Sequence, residues 1–260
     1  MRIALGVEYD GRPFRGWQQQ EEGVPTVQGV LQRALSRVAD APLELVCAGR
    51  TDAGVHALEQ VVHFDTVVQR PERAWVRGTN ANLPPSVTVL WSRPVADDFH
   101  ARFTALGRRY RYVILNRPVR SSLAAGRVTW EYRPLDVARM AEAGRHLLGE
   151  QDFTSYRAAG CQSNTPFRNV TRLDVSRSRD LLFIDIEANA FLHHMVRNIA
   201  GVLMDIGAGE REPDWAREVL EARDRTVGGI TAKPDGLYLM RVDYPPTHPL
   251  PQNTATRLVW

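Results

Sequence analysis

Residues 48–57 read A-G-R-T-D-A-G-V-H-A and follow directly on the apolar run L-E-L-V-C. Arg50 and Asp52 are two apart, so on an extended chain both side chains project to one side. Gly49 and Gly54 leave room for a ligand to approach the backbone, or supply positive φ. A carboxylate beside a cation stays ionised, and an ionised, oriented aspartate is a plausible nucleophile toward an electron-poor centre. The competing account is structural. An aspartate in a glycine-flanked loop commonly caps its own turn, with the arginine an incidental partner.

Two further stretches carry residues with chemical potential. In R-R-Y-R-Y (108–112), read as a strand, Arg108, Tyr110 and Tyr112 face one side and Arg109 and Arg111 the other. Interleaved arginine and tyrosine suit phosphate contact plus base stacking, worth about 1–3 kcal/mol per stacked base. A sheet face with half-buried tyrosines and solvated arginines would read the same way. In F-L-H-H-M-V-R-N-I (191–199), a helix from about 193 puts His193 and Arg197 on one face, with Met195, Val196, Ile199 and Val202 as apolar company. A buried arginine there needs a partner, and a carboxylate such as Asp52 is a natural candidate. Adjacent histidines point about 100° apart on a helix, which makes them poor joint ligands for one metal. There is no GxxxxGK[ST], HExxH or GxSxG, so nucleotide hydrolysis, zinc proteolysis and serine esterase chemistry have no support.

The elements that must position these residues follow from local pattern. Residues 2–9 read as a strand, and 11–18 as a loop rich in glycine, arginine and aromatic side chains. A helix then starts behind Thr26 as N-cap, with Val27, Val30, Leu31, Ala34, Leu35 and Val38 in one stripe. Strands are expected at 43–47, 60–65 and 87–93, with a short helix at 71–78 and a turn at N-L-P-P. In the second half, 108–115 reads as a strand and 137–148 as a helix capped by Asp136 and ended by Gly149. Residues 168–177 and 181–188 read as a hairpin. Helices follow from about 193 and at 214–223, then a last strand at 236–244. Strands mixed with a few helices in both halves predict an α+β protein with antiparallel sheets. The predicted domains are 1–103, carrying the aspartate loop, and 104–245, carrying the tyrosine strand and the arginine helix. Residues 246–260 read as an extended, proline-rich tail.

The chain has 260 residues, 43% of them hydrophobic and 24% charged, enough for a substantial core in one large or two modest domains. No apolar run approaches the ~18 residues of a membrane span, and the N-terminus lacks the pattern of a signal peptide. The two cysteines, Cys47 and Cys161, signal neither a zinc site nor a disulfide framework. A cytoplasmic location is expected. Net charge is only +3, yet the isoelectric point is near 9.1. All 33 basic residues except Lys233 are arginine. Guanidinium groups fork onto phosphates and stack on bases, so the balance points toward nucleic acid.

Taken in order, G-R-T-D-A-G-V-H-A, R-R-Y-R-Y, D-F-T-S-Y-R-A-A-G-C-Q-S-N-T-P-F-R-N-V, N-A-F-L-H-H-M-V-R-N-I-A-G and G-L-Y-L-M-R-V-D-Y resemble the tRNA pseudouridine synthase A family, over roughly residues 2–245. The resemblance implies isomerisation of uridine to pseudouridine at positions 38, 39 and 40 of the tRNA anticodon stem-loop, without metal, nucleotide or redox cofactor. It implies that Asp52 is the catalytic aspartate, that Tyr110 stacks on the target uracil, and that Arg197 pairs with the carboxylate. Arg50 falls at the pocket mouth and Leu237 on the pocket wall. It also implies a homodimer, with two ferredoxin-like, RNA-recognition-like halves whose sheets merge around a central basic cleft. Arg12, Arg15, Arg108, Arg109 and Arg168 are the candidate phosphate contacts. The glycine-rich V-G-G-I-T at 227–231 departs from expectation and suggests a loose loop. Whether the aspartate attacks C1′, attacks C6, or assists formation of a glycal-like species stays open. A non-catalytic RNA-binding module would leave Arg50, Asp52 and Arg197 unexplained, and a glycosidic hydrolase would need a second carboxylate.

Overall fold

The computed structural model describes residues 1–251. Its first helix, α1 (Val27–Ala39), forms where the stripe predicts. Thr26 is extended and its hydroxyl accepts the Gly29 N–H at 3.2 Å. Val27, Leu31, Ala34 and Leu35 are buried, and Val30 and Val38 lie at the margin. At the far end Asp40 takes a left-handed conformation (φ 54°), which turns the chain sharply out of the helix. The predicted strand at 43–47 is shorter than expected. Leu43 N–H donates to the Ser36 hydroxyl rather than to a neighbouring strand, and only β2 (Val46–Cys47) pairs.

The chain divides into two compact units. One contains Met1–Leu106 together with the described residues from Leu239 onward, and the other contains Gly107–Tyr238. In the first, β1 (Arg2–Tyr9) lies between β3 (His56–Asp65) and β4 (Val87–Val95), antiparallel to both, and β2 extends β3 on its other side. Leu5 opposes Val62 on one side and Ser92 on the other. The helix α2 (Glu72–Asn80) places Trp75 in the core, 5.2 Å from Phe64 between ring centroids. Residues 246–251 of the expected tail begin with a turn, closed by His248 N–H on the Pro245 carbonyl. Residues 252–260 of that tail lie outside the described residues.

In the second unit β5 (Gly107–Asn116) pairs antiparallel with β9 (Leu181–Ala188), β9 with β8 (Phe167–Ser178), and β8 with β7 (Gly149–Asp152). The short β6 (Thr129–Glu131) runs parallel to β5. The hairpin β8–β9 is the predicted one, whereas β6 and β7 have no signature of their own. The helix α3 (Val137–Arg145) is capped by Asp136, as expected, but ends earlier than predicted. Residues 146–148 tighten into i→i+3 bonds before Gly149 turns the chain at φ 88°. The helices α4 (Met195–Gly207) and α5 (Trp215–Ala222) complete the unit. The last strand, β10 (Leu237–Asp243), crosses the division between the units. The whole is α+β with mostly antiparallel pairing. Among the described residues no helix is long and apolar enough to cross a membrane.

Candidate active site

Asp52 sits in the first unit, on a loop with little backbone freedom. The loop leaves β2 where Ala48 N–H donates to the Val61 carbonyl at 2.8 Å, and the Gln60 amide holds the Gly49 carbonyl at 2.6 Å. Gly54 takes positive φ (80°), and Val55 N–H closes a turn on the Asp52 carbonyl at 3.1 Å. Thr51 is buried, with its hydroxyl 2.8 Å from that of Tyr9 at the end of β1. Asp52 is half-buried and Arg50 is exposed.

The arginine-rich loop 11–18 packs against this turn through its glycines. A Cβ at Gly11 would lie 2.1 Å from the Val55 carbonyl oxygen, and one at Gly16 (φ 98°) would lie 2.9 Å from the Thr51 carbonyl oxygen. Trp17 N–H donates to that Thr51 carbonyl at 3.0 Å. Gly16 and Trp17 in turn offer their carbonyls to the Val27 and Gln28 N–H groups, two of the otherwise orphaned donors at the start of α1. A continuous chain of main-chain contacts therefore links α1, the 11–18 loop and the turn at Asp52. Tyr9, Gly11, Gly16 and Thr51 were not singled out from the sequence, because no local pattern marks them. The Cys47 thiol is pushed up to about 12 by burial, against the pull of the Arg50 cation. At neutral pH it is a protonated thiol and a poor nucleophile.

In the second unit the alternation of β5 is as predicted. Arg108, Tyr110 and Tyr112 are buried, and Arg109 and Arg111 are half-buried. Tyr110 opposes Ile186 and meets the ring of Phe191 edge-on at 5.0 Å. Tyr112 is fully enclosed. Its hydroxyl donates to the Lys233 carbonyl at 2.7 Å and lies 2.6 Å from the Thr129 hydroxyl. Beside this clamp, a Cβ at Gly236 would sit 2.3 Å from the Val113 carbonyl oxygen, and this close approach seats the buried Leu237.

Arg197 lies in the first turn of α4, half-buried. The helix starts at Met195, and His194 precedes it in a left-handed conformation (φ 61°). The expectation that His193 and Arg197 share a helical face therefore fails, because His193 lies before the helix. Arg197 Nε donates to the Ala232 carbonyl at 2.8 Å, and Ala232 N–H returns a bond to the Arg197 carbonyl at 3.1 Å. The 227–231 segment, expected to be loose, is tied down instead. Arg225 Nη2 reaches Asn198 Oδ1 at 3.1 Å, Gly229 O at 3.0 Å and Thr231 Oγ1 at 2.9 Å.

The candidate phosphate arginines differ in what holds them. Arg12 is paired with Asp10, Nε to Oδ1 at 2.9 Å. Burial pushes the Asp10 carboxyl up, but the hydrogen bonds from Arg12 outweigh it and hold the group below its usual value. Arg15 is exposed. Arg109 pairs with Glu187 at 2.6 Å. Arg108 and Arg168 are buried. Arg108 donates to the Asn189 carbonyl at 2.8 Å, while Arg168 donates to the Thr165 carbonyl at 3.0 Å and the Ser163 hydroxyl at 2.6 Å. Desolvation lowers the Arg168 pKa. Both guanidinium groups are thus buried and already donate to the protein.

An α+β chain with an aspartate on a glycine-pinned turn, a tyrosine strand and an arginine helix has the makings of an RNA-modifying enzyme. Comparison with known proteins is specific. The family described as tRNA pseudouridine synthase matches residues 6–104 and 143–245. A tRNA pseudouridine synthase A of Nitrosococcus oceani is 60% identical over 260 residues, all of both chains. That of Pseudomonas aeruginosa is 59% identical over 251 residues, 96% of this chain and 88% of the relative. That of Pectobacterium atrosepticum is 56% identical over 254 residues, 98% of this chain and 89% of the relative. The chain belongs to the tRNA pseudouridine synthase A family, a family of isomerases that act in tRNA processing.

Proposed function

We propose that this chain converts uridine to pseudouridine at positions 38, 39 and 40 of the tRNA anticodon stem-loop, with Asp52 as the catalytic nucleophile. The N1–C1′ bond breaks, the uracil turns over, and a C5–C1′ bond forms. C5 loses its proton and N1 gains one, so the change is a rearrangement with no net oxidation and no group acceptor. Such a reaction needs neither metal nor redox cofactor. The target base must leave its stack, at a cost of a few kcal/mol. Tyr110 stacking on the uracil and Arg50 at the pocket mouth offset that cost, and Leu237 supplies apolar wall. Arg197 keeps the catalytic carboxylate ionised and oriented. Of the phosphate candidates, Arg15 is the most available, with Arg12 and Arg109 attenuated by their acidic partners. The enzyme acts as a cytosolic homodimer on this reading.

The observation that carries the proposal is the turn at Asp52. A half-buried carboxylate on a pinned loop, in a chain that matches named tRNA pseudouridine synthases along its full length, has a job that an RNA-binding module would not give it. The test is tritium release from tRNA labelled at C5 of uridine, with mapping of the modified positions. The expected result is one label released per pseudouridine formed at 38, 39 or 40, and none with Asp52→Asn although tRNA still binds. Binding without release by the unsubstituted protein would make it an RNA-binding module. Release of free uracil would make it a glycosidic hydrolase.

A further inference from the structure

Arg225 lies outside every motif that marks the family, yet it organises the segment against which Arg197 rests. Its Nη2 reaches three acceptors at once: Asn198 Oδ1, Gly229 O and Thr231 Oγ1. All three are neutral oxygens gathered around one nitrogen, which shares its two N–H groups among them, so the group acts here as a donor rather than to neutralise a carboxylate. Asn198 follows Arg197 on α4 and is 2% exposed. Its amide nitrogen donates to the Tyr156 carbonyl at 2.8 Å, and its oxygen receives both Arg225 and the Thr231 hydroxyl, the latter at 2.6 Å. Thr231 is bonded covalently to Ala232, whose carbonyl accepts Arg197 Nε.

The approach is close because α4 presents a glycine there. A Cβ at Gly201 would lie 2.0 Å from the Ile230 carbonyl oxygen. The segment is anchored at its start as well. Asp224 N–H donates to the Ser155 hydroxyl at 2.9 Å, and the Asp224 carboxylate accepts the Thr226 N–H at 2.8 Å.

We infer that Arg225 is a positioning residue for Arg197, acting through Asn198, Thr231 and the Ala232 carbonyl. The inference rests on the proposed role of Arg197 in the reaction. A lysine replaces Arg225 poorly, because its shorter, flexible stem lacks the rigid planar guanidinium that holds the donor nitrogen in place. Loss of this donor nitrogen frees residues 229–232 to shift on α4, and the Arg197 guanidinium shifts with them. A displacement of about 1 Å at a group that orients the reacting atoms can cost on the order of 100-fold in rate.

The experiment measures single-turnover rates of pseudouridine formation and tRNA binding for Arg225→Ala, Arg225→Lys, Thr231→Val, Arg197→Lys and the double variant Arg225→Ala/Arg197→Lys. The expected result is a fall of about 10- to 100-fold in rate for both Arg225 variants, with tRNA affinity within about threefold of the parent. Thr231→Val, nearly isosteric, should show a smaller fall of the same kind, and it reads the network if Arg225→Ala folds poorly. Arg225→Ala should add little to Arg197→Lys, because a residue acting through Arg197 has no further effect once Arg197 is altered. Equal, fully multiplicative effects in the two backgrounds would overturn the inference, as would a loss confined to tRNA affinity. A normal rate for Arg197→Lys, and for Arg197→Met assayed beside it, would instead overturn the role of Arg197 itself.

Discussion

The turn that carries Asp52 is shaped by main-chain contacts, whereas the helix start that carries Arg197 is buttressed by side chains from a later segment. Around Asp52, two glycines let the 11–18 loop come close, peptide groups of β3 and that loop meet the segment that carries the turn, and α1 holds the loop from behind. Around Arg197, one glycine on α4 admits the 229–232 segment, but the tie is made by the guanidinium, amide and hydroxyl of Arg225, Asn198 and Thr231. Main-chain support tolerates most changes of side chain and fails when a glycine is lost. Side-chain support fails one partner at a time. The proposed nucleophile, which must not drift, suits the first kind of scaffold. The cation proposed to orient it can be set by the second.

The largest expected effect is at the proposed nucleophile. Asp52→Asn should reduce pseudouridine formation by at least about 10³-fold, in line with removal of a nucleophile elsewhere, while a filter-binding assay finds tRNA affinity preserved. Next come the glycines, which probe both regions by one change. Gly11→Ala and Gly201→Ala each force a Cβ onto a carbonyl oxygen, at 2.1 and 2.0 Å. Each should destabilise the protein by about 1–3 kcal/mol, the usual range for overpacking, read as a lower Tm in a thermal melt. Turnover should fall further than the stability loss explains. If Gly201→Ala left turnover intact while Gly11→Ala did not, the arginine would depend less on its support than the aspartate does.

Thr51→Val should be milder. It removes the hydroxyl that Tyr9 meets and should cost about 1 kcal/mol by chemical denaturation, typical for one buried hydrogen bond. The smallest effect concerns phosphates. Arg15→Ala should reduce the slope of log affinity against log salt by about 0.7–0.9, the amount for one lost phosphate contact. Arg168→Met should leave that slope unchanged and lower stability instead, because its donors already serve Ser163 and Thr165.

Much of this protein was legible in local pattern. The stripe of α1 and its Thr26 cap, the Asp136 cap of α3, the alternation of β5 and the β8–β9 hairpin all follow from periods and caps a few residues long. Those signals are local because the backbone itself imposes them. Asp52 and Arg50 were legible as candidates because a charged pair between glycines is an unusual string, and Tyr110 because aromatic and basic residues alternate around it.

The rest was decided by partners far away along the chain. The polar G-E-Q-D of β7 is a strand only because β8 lies beside it, with Gly149 opposite Val170. The last strand begins in one unit and ends in the other, and its own residues do not say so. That Arg108 and Arg168 are buried and donate to backbone carbonyls was not legible in their strings. The left-handed His194, which delays the start of α4, and the reach of Arg225 to Asn198 and Thr231 were equally hidden. Sequence periodicity states which side of an element is apolar, but not what that side will meet. Hydrogen bonds and close approaches between residues tens of positions apart exist only once the chain has packed.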